Sequence, residues 1–579
     1  MKKLPTIVLG LSYGHGDSAA AIIVDGKLVA AAEEERFTRV KHDAGFPFKA
    51  IEYCFNHTCI TAAQVHTVAI PSDPSVAFWK KLGLVAAHPK LLKMKFGNAT
   101  HKKIHLKSTL ESIGLGRAKV LKVEHHLAHM MSSRILTKGT DGALLSLDGL
   151  GDFVSAASGR IKDHQVEVID RVYFPHSLGF FYTAMTHYLG FPYFGDEFKL
   201  MGLSSFGKPK YLEEMRSLIR TDEKFGFKLN LEAFPLLRQP LVFGVEDSKP
   251  VIQPFYNPNF ITQLTGIRPR KKKEDVTKIH EDFAKSVQAR FEEVANHLLV
   301  QLYEEVKSET LLLSGGCAHN SVWVGKIPES SPFKRILVAP ASQDSGTAVG
   351  AAAFAARTSV TMDSQHSALL GPDTSVTPKE YNGLESREIS QDKKLIAFMV
   401  DELSKGKIIG LMRGRMEFGP RALGSRSILA DPRQKDMKDR INASVKHRES
   451  FRPFAASVLH ECQEEWFKNS FYAPTMEAVF EVKASMKNKI PAVVHADQTC
   501  RIQSVTKDNQ TFFWQLLDAF KTKTGVPMLL NTSFNDSEPV VCTAEDALRC
   551  FKNCGIDLLV IGNTVFEKKV AAITQKKVA

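Results

Sequence analysis

A chain of 579 residues is far longer than one hydrophobic core usually supports, so two large domains or more are expected. Hydrophobic residues make up 44% of it, yet no apolar run reaches the roughly 18 residues that cross a bilayer, which excludes a membrane span and leaves no membrane partner expected. The 76 basic residues outweigh 63 acidic ones, and part of the surplus is local: eleven Lys or Arg and one acid, Glu111, fall between residues 80 and 122, a patch that suits a polyanion, a phosphorylated small molecule or plain solvation.

The basic start "MKKLP" leads into an apolar stretch that is short and broken by glycines and His15, unlike a signal peptide. It reads as the first strand of a β-ribbon: "TIVLGLSY", the turn "GHGDS", "AAAIIVDG" and then "KLVAAAEEER". Eight cysteines are scattered without a C-x-x-C pair, so reduced thiols and a cytoplasmic location are expected. At "VEHHLAHMMSS" two histidines, His125 and His129, stand one helical turn apart with His126 between them. A second strand-loop-strand unit follows at residues 142–161, "GALLSLDGLGDFVSAASGRI". Two such units, each followed by αβ segments, suggest a duplicated α/β architecture of the actin, hexokinase and Hsp70 kind.

Further along, Ile279, Phe283, Val287, Phe291, Val294 and Leu298 recur at helical spacing and lead into the strand "TLLLSGG". The strand "RILVAP" precedes "ASQDSGTAVGAAAFAA", whose Ala and Gly content predicts a tightly packed helix. Residues 358–395 are polar and without a period, and the domain boundary is expected there: one domain over 1–360, a linker over 361–395, and a separate α/β domain over 396–579 with the strands "IIGLMRGR", "MEAVFEVK" and "PMLLNTSFN".

His125 and His129 at i and i+4 share a helical face, the geometry in which two imidazoles grip one cation. Asp148 ends the strand "ALLSLD" at a Gly turn and Asp344 opens a helix after another strand, and two imidazoles with two carboxylates make a mixed N/O site suited to Fe(II), Mn(II) or Zn(II). The turns "YGHGDS" and "LSGGCAHN" place small residues where backbone N–H groups approach a phosphate, though neither has the Walker or Rossmann pattern. The densest signal is "RGRMEFGPRALGSRSILADPR" with "INASVKHRESFRPFAASV", where Arg413, Arg415, Arg421, Arg426, Arg433, Lys446, Arg448 and Arg452 lie among Gly and Pro. Loops of that composition favour a compact anion pocket over a nucleic-acid surface, which would interleave aromatics.

These segments, with "GHGDSAA", "AEEERFTRVKHDAGFP", "GDEFKLMGLSSFGKP" and "LLNTSFN", resemble the O-carbamoyltransferases that decorate nodulation factors, cephamycins, ansamycins and aminoglycosides, in order from residue 6 to about 563. The resemblance implies an actin-like (ASKHA) N-terminal domain that passes a carbamoyl group to a hydroxyl of a small natural product or sugar. A YrdC-like C-terminal domain would first make carbamoyl adenylate from ATP and carbamoyl phosphate. It implies a divalent metal, Fe²⁺ by preference, on His125, His129, Asp148 and Asp344, with Mg²⁺ an option alongside ATP, and His15 as general base. It places nucleotide on Gly14, Lys199, Gly315, Gly316 and Asn320, and carbamoyl phosphate on Arg421, Arg426, Lys446, Arg452, Arg501, Asn531 and Ser533. Departures sit in "HADQTCR", with Gln498 and Cys500, and in "FNDSEPVV", with Asp536 and Ser537. The rival reading is a tRNA-modifying threonylcarbamoyl-type transferase. Residues 72–118 and 225–272 carry no motif tied to chemistry, and acceptor selectivity is expected in such loops.

Overall fold

The computed structural model describes residues 5–89, 91, 105–137, 140–163, 165–238, 243–357, 360–361, 368–374, 381 and 383–569. Lys90, Lys93, Lys95, Lys102 and Lys103 of the basic stretch lie outside them. In the first sheet β1 (Ile7–Ser12), β2 (Ala19–Val24) and β3 (Lys27–Glu33) form an antiparallel meander, and β4 (Thr67–Ile70) and β5 (Lys119–Lys122) add in parallel beside β1, in the order β3-β2-β1-β4-β5. The second sheet repeats this plan. β6 (Gly142–Gly151), β7 (Val154–Lys162) and β8 (Gln165–Tyr173) form the meander, two small hairpins follow, β9 (Ile219–Thr221) with β10 (Phe227–Leu229) and β11 (Phe243–Glu246) with β12 (Lys249–Ile252), and β13 (Thr310–Ser314) and β14 (Arg335–Val338) complete the order β14-β13-β6-β7-β8. One topology twice over is the duplicated actin-like architecture.

The two halves meet on the helix Asp344–Ala356, "DSGTAVGAAAFAA", which is buried along most of its length. Its small residues let backbones touch: a Cβ at Gly350 would lie 1.7 Å from the Ala128 carbonyl, and one at Gly10 of β1 would lie 1.9 Å from the Ala348 carbonyl. No side chain larger than hydrogen fits at either place.

The C-terminal part is a nine-stranded mixed sheet in the order β15-β23-β22-β16-β17-β21-β18-β20-β19, an α/β domain as expected. Its strands are β15 (Leu384–Glu388), β16 (Ile409–Met412), β17 (Arg426–Ala430), β18 (Ala455–Leu459), β19 (Ala478–Glu481), β20 (Thr499–Val505), β21 (Met528–Ser533), β22 (Leu558–Ile561) and β23 (Thr564–Lys568). The stretch read as linker supplies the edge strand β15, paired antiparallel with β23, and the start of the helix Asp392–Ser404. The C-terminal sheet shares one hydrophobic core with the second actin-like half. The first half is tied on by arginines: Arg36 Nη2 donates to Gly419 O (2.9 Å), and Arg39 to Val540 O (2.7 Å) and Pro539 O (2.6 Å). All eight cysteines are free, and no helix among the described residues is long and apolar enough to cross a membrane.

The helix contact yields a test. Gly350→Val forces the Ala128 backbone away at an overpacking cost of about 3 kcal/mol or more, so calorimetry should show a lower unfolding midpoint. A parental midpoint would mean that the two helices part freely.

Candidate functional site

The helix His125–Arg134 begins after Glu124, whose carboxylate receives Arg171 through Nε and Nη2 at 2.7 Å each. The His125 N–H donates to Asp152 Oδ2 (2.9 Å), which also accepts the Asp73 N–H (2.7 Å), so the helix start is pinned to the loop after β4. His125 and His129 point the same way, with their Nε2 atoms 3.0 Å apart. His126 turns away into the core and bonds Ser146 Oγ (2.8 Å) and Val154 O (2.9 Å), and burial, then the charge of the two neighbouring imidazoles, pushes its pKa down to about 3.

Asp148 leaves the β6–β7 ladder where its register shifts beyond Leu147. Its Oδ1 accepts the Gly316 N–H (2.8 Å) and its Oδ2 lies 3.4 Å from His125 Nε2 and 3.8 Å from His129 Nε2. Asp344 Oδ1 lies 3.5 Å from both imidazole nitrogens. The four ligand atoms stand within 4.8 Å of one another. Metal–ligand bonds of about 2.0–2.2 Å place ligand atoms roughly 3 Å apart, and the set meets that spacing with a mixed N/O chemistry. Asp344 Oδ1 is buried with no hydrogen bond, as a donor reserved for a cation would be. Without a cation the carboxylates hold a proton here instead: burial opposes it, but the Asp148 hydrogen bond and the charges of Asp344, Asp148 and Asp152 carry His125 up to about 9.

His15 completes this end. Its Nδ1 donates to Asp344 Oδ2 (2.8 Å), which orients the ring and leaves Nε2 as the basic atom. Although burial lowers the imidazole's pKa, Asp344 more than offsets it, and the net shift is upward.

Across the cavity stand the cations of the C-terminal domain. Arg421 finds no hydrogen-bond or ion-pair partner among the described residues, and burial, then Arg452, pushes its pKa down to about 10. Among the described residues Arg501 meets only the neutral Ser321 Oγ (3.1 and 2.8 Å), and burial with Arg421 and Arg448 nearby lowers it strongly. Lys446 donates to Ser533 O (2.5 Å), Asn535 O (2.8 Å) and Asn535 Oδ1 (2.7 Å), all neutral acceptors. Arg452 reaches Glu449 at 3.7 Å and lies over the Phe198 ring. Buried positive charge with one nearby acid is a site for an anion. Asn531 gives its amide N–H groups to Ser457 Oγ (2.8 Å) and Gln503 Oε1 (3.3 Å), and its buried Oδ1 has no partner.

One cavity of about 1820 Å³ is lined by both sets, including His15, His125, Asp148, Asp344, Arg421, Lys446, Arg452, Arg501, Asn531 and Ser533. Arg426 does not belong to it. Fully buried, it donates to the carbonyls of Gly414 (2.9 Å), Ser425 (3.0 Å) and Pro372 (3.0 Å), and so holds loops together rather than an anion. Of the residues expected to bind nucleotide, Lys199, Gly316 and Asn320 line the cavity. Lys199 pairs with Asp196 (2.9 Å) and Glu449 (3.5 Å), Gly316 spends its N–H on Asp148, and the Asn320 side chain caps Trp323 N–H (3.1 Å) and pairs with Gln288 (3.0 Å). Gly14 (φ +87°) and Gly315 (φ +86°) shape the turns, Gly315 because a Cβ there would lie 2.3 Å from Leu147 O.

Sequence reasoning counted Arg448 in the basic run but left it out of the carbamoyl-phosphate set; burial, then Arg452, pushes it down to about 9, and a second cluster that was passed over, Asp17, Glu35 and His42, stands on the cavity wall. His42 Nδ1 meets Asp17 Oδ1 at 2.7 Å. The signal was present in "AEEERFTRVKHDAGFP", a charge run that breaks the rule of solvated charges by sitting at a strand end.

Fold and site together set poorly neutralised cations across one cavity from a His/Asp cluster whose donors suit a divalent metal. Residues 7–353 match the carbamoyltransferase N-terminus and residues 400–568 the carbamoyltransferase C-terminus, and the chain belongs to the carbamoyltransferase family. It is 32% identical to the nodulation protein NolNO of Sinorhizobium fredii, over 96% of this chain and 79% of that one. It is 33% identical to the nodulation protein NolO of Bradyrhizobium diazoefficiens, over 78% of this chain and 80% of that one. An uncharacterised protein of Synechocystis, sll1178, is 34% identical over 97% of both chains.

A cation held by these four donors predicts that the purified protein carries a divalent ion and that His129→Ala loses it. Elemental analysis of both proteins checks this, and equal metal content would remove His129 from the ligand set.

Proposed function

We propose that this transferase makes carbamoyl adenylate from carbamoyl phosphate and ATP and passes the carbamoyl group to a hydroxyl of a small natural product or sugar. The observation that carries the reading is the shared cavity, with poorly neutralised cations on one wall and His15 beside the His/Asp centre on the other. We assign activation to residues 396–579 and transfer to residues 1–360, with 361–395 between them.

In this scheme water cleaves carbamoyl phosphate to carbamate and phosphate, a carbamate oxygen attacks the α-phosphorus of ATP to form carbamoyl adenylate, and diphosphate leaves. Arg421, Lys446, Arg448, Arg452 and Arg501 hold the anionic groups and offset the charge that develops, in a pocket where their positive charge is poorly neutralised by protein. The acceptor oxygen then attacks the carbamoyl carbon, AMP leaves, and the acceptor proton passes to His15 Nε2 while Asp344 holds the ring. A divalent ion at His125, His129, Asp148 and Asp344, Fe²⁺ by our assignment, would supply Lewis-acid stabilisation of the carbamoyl oxygen or phosphate. The direct test is to incubate the protein with ATP, carbamoyl phosphate and a panel of hydroxylated metabolites and to weigh the products. Absence of AMP and of any carbamoylated product would overturn the proposal.

Two variants separate the anion site from the scaffold. Arg421→Ala should weaken carbamoyl adenylate formation by about 1.5–3 kcal/mol for each charged hydrogen bond lost, at an unchanged unfolding midpoint. Arg426→Ala should instead lower the midpoint, because it strands buried carbonyls. Reversal of the two phenotypes would exchange the roles.

His15→Asn should spare adenylate formation and slow transfer to the alcohol by about 10²–10⁴. Higher acceptor concentration should not restore it, since binding is not what was removed. Transfer within about threefold of the parent would place the base elsewhere, in a step whose usual contribution is that same 10²–10⁴.

A further inference from the structure

The helix Phe78–Ala87 carries its apolar side chains outward. Phe78 is 57% exposed, Trp79 79% and Leu82 51%, and all three lie on one side of the helix, with Ala86 exposed beside them. The opposite side is anchored. Leu84 packs on the main core, Lys81 Nζ donates to Pro74 O (2.9 Å), and the ammonium groups of Lys80 and Lys81 lie over the rings of Tyr173 and Phe153. The helix is therefore held against the body of the protein with its apolar face presented to solvent, an arrangement that monomeric soluble proteins rarely keep without use.

The charge near that face is mainly basic, with Asp73 the acid beside it. Lys119 and Lys122 are exposed on the edge strand β5, beside Val120 at 39% exposure. Lys122 and Lys81 both act on Asp73, which places the strand end and the helix on one surface. Among the described residues from 80 to 122, Glu111 is the only acid. A protein partner of ordinary composition would answer such a face with carboxylates at scattered points. A sheet of anionic headgroups over hydrocarbon answers it everywhere, since aromatic and aliphatic side chains enter the interface while lysines meet the phosphates.

We propose that the helix Phe78–Ala87, with Lys119 and Lys122 beside it, docks this enzyme peripherally on a membrane surface rich in anionic phospholipid. The absence of a spanning helix among the described residues bears on insertion and not on this mode of attachment. The docking face adjoins the cavity wall. Ser72 Oγ and Asp73 N–H both bond Asp152 (3.1 and 2.7 Å), which bonds the His125 N–H, and Pro71, Ser72 and Asp152 line the cavity. Docking would thus bring the reaction chamber to the headgroup layer.

The test uses the full chain and vesicles of phosphatidylcholine with or without phosphatidylglycerol. The protein should cosediment with the mixed vesicles and not with phosphatidylcholine alone, and the binding should weaken with salt. Trp79 fluorescence should shift to the blue on binding. Trp79→Ser combined with Leu82→Ser should lower vesicle affinity by about tenfold or more at an unchanged unfolding midpoint. Failure of the parent to bind anionic vesicles, or equal binding by the double variant, would overturn the proposal. So would a lipid-independent dimer in sedimentation that the double variant abolishes, which would make a second copy the occupant of this face.

Discussion

The approach of two helix backbones at Gly350 and Ala128 sets the rest of the structure. Ala128 lies between His125 and His129 in the chain, and Gly350 lies less than two turns from Asp344 on its own helix. A separation of these helices by the width of one methyl group would pull the Asp344 carboxylate away from both imidazoles. The second contact, Gly10 of β1 against Ala348, places the glycine-rich turn and His15 on the same helix end. Three catalytically useful elements from distant parts of the chain are thus located by hydrogen-sized side chains. The alanine-rich sequence of the central helix follows from the need for a rigid spacer thin enough to be gripped from both sides.

The same helix opens onto a cavity whose two walls carry opposite charge. Carboxylates dominate near the histidines and guanidinium groups dominate across from them, so the field runs from one domain to the other. Such an arrangement costs stability in the free protein, since Arg421 and Arg501 surrender water without gaining a carboxylate. The arginines that hold the first actin-like half to the C-terminal domain are different in kind. Arg36 sits between Glu33 (hydrogen-bonded) and Glu35 (2.7 Å), and Arg39 has Glu538 at 3.1 Å, so each is neutralised as well as bonded to carbonyls. The arginines at the domain joint are paired with carboxylates, whereas Arg421 and Arg501 have none among the described residues, a distinction that geometry makes and residue type does not.

That distinction explains what the sequence could and could not say. The duplication was legible because each meander has its own Asp-Gly turn between apolar strands, and the histidine pair was legible because helical spacing is a fixed ruler. Arg426 looked identical to Arg421 in the motif "FGPRALGSRSILADPR", yet three loop carbonyls engage its Nη1 and Nη2, and no spacing rule counts carbonyls that arrive from residues 372 and 414. Asn320 was read as a polar residue free for nucleotide, but Gln288 lies far away in the chain and claims its amide. The strand β15, "LESRE", hid within a polar stretch because an edge strand with four exposed residues carries no apolar period. The carboxylates of "AEEER" were missed for the opposite reason. Charge runs are usually solvated, whereas Glu33 is buried enough to be pushed up to about 7 despite Arg36.

Two buried oxygens give the cavity its direction. Asp344 Oδ1 at the histidine end and Asn531 Oδ1 on the arginine wall are both without hydrogen bonds, in a fold whose other polar groups are paired with few exceptions. An oxygen left unsatisfied inside a protein raises the free energy of the empty state and not of the occupied one. Asp344 calls for a cation or an imidazolium, and Asn531 for an N–H or O–H donor, which the free phosphate dianion cannot supply but a carbamoyl amide can. The wall that attracts anions through its arginines therefore also holds a neutral acceptor suited to the amide end of a carbamoyl group. In the reaction proposed above, substrate charge would bring the ligand to that wall, and the uncharged contact would set which end faces His15.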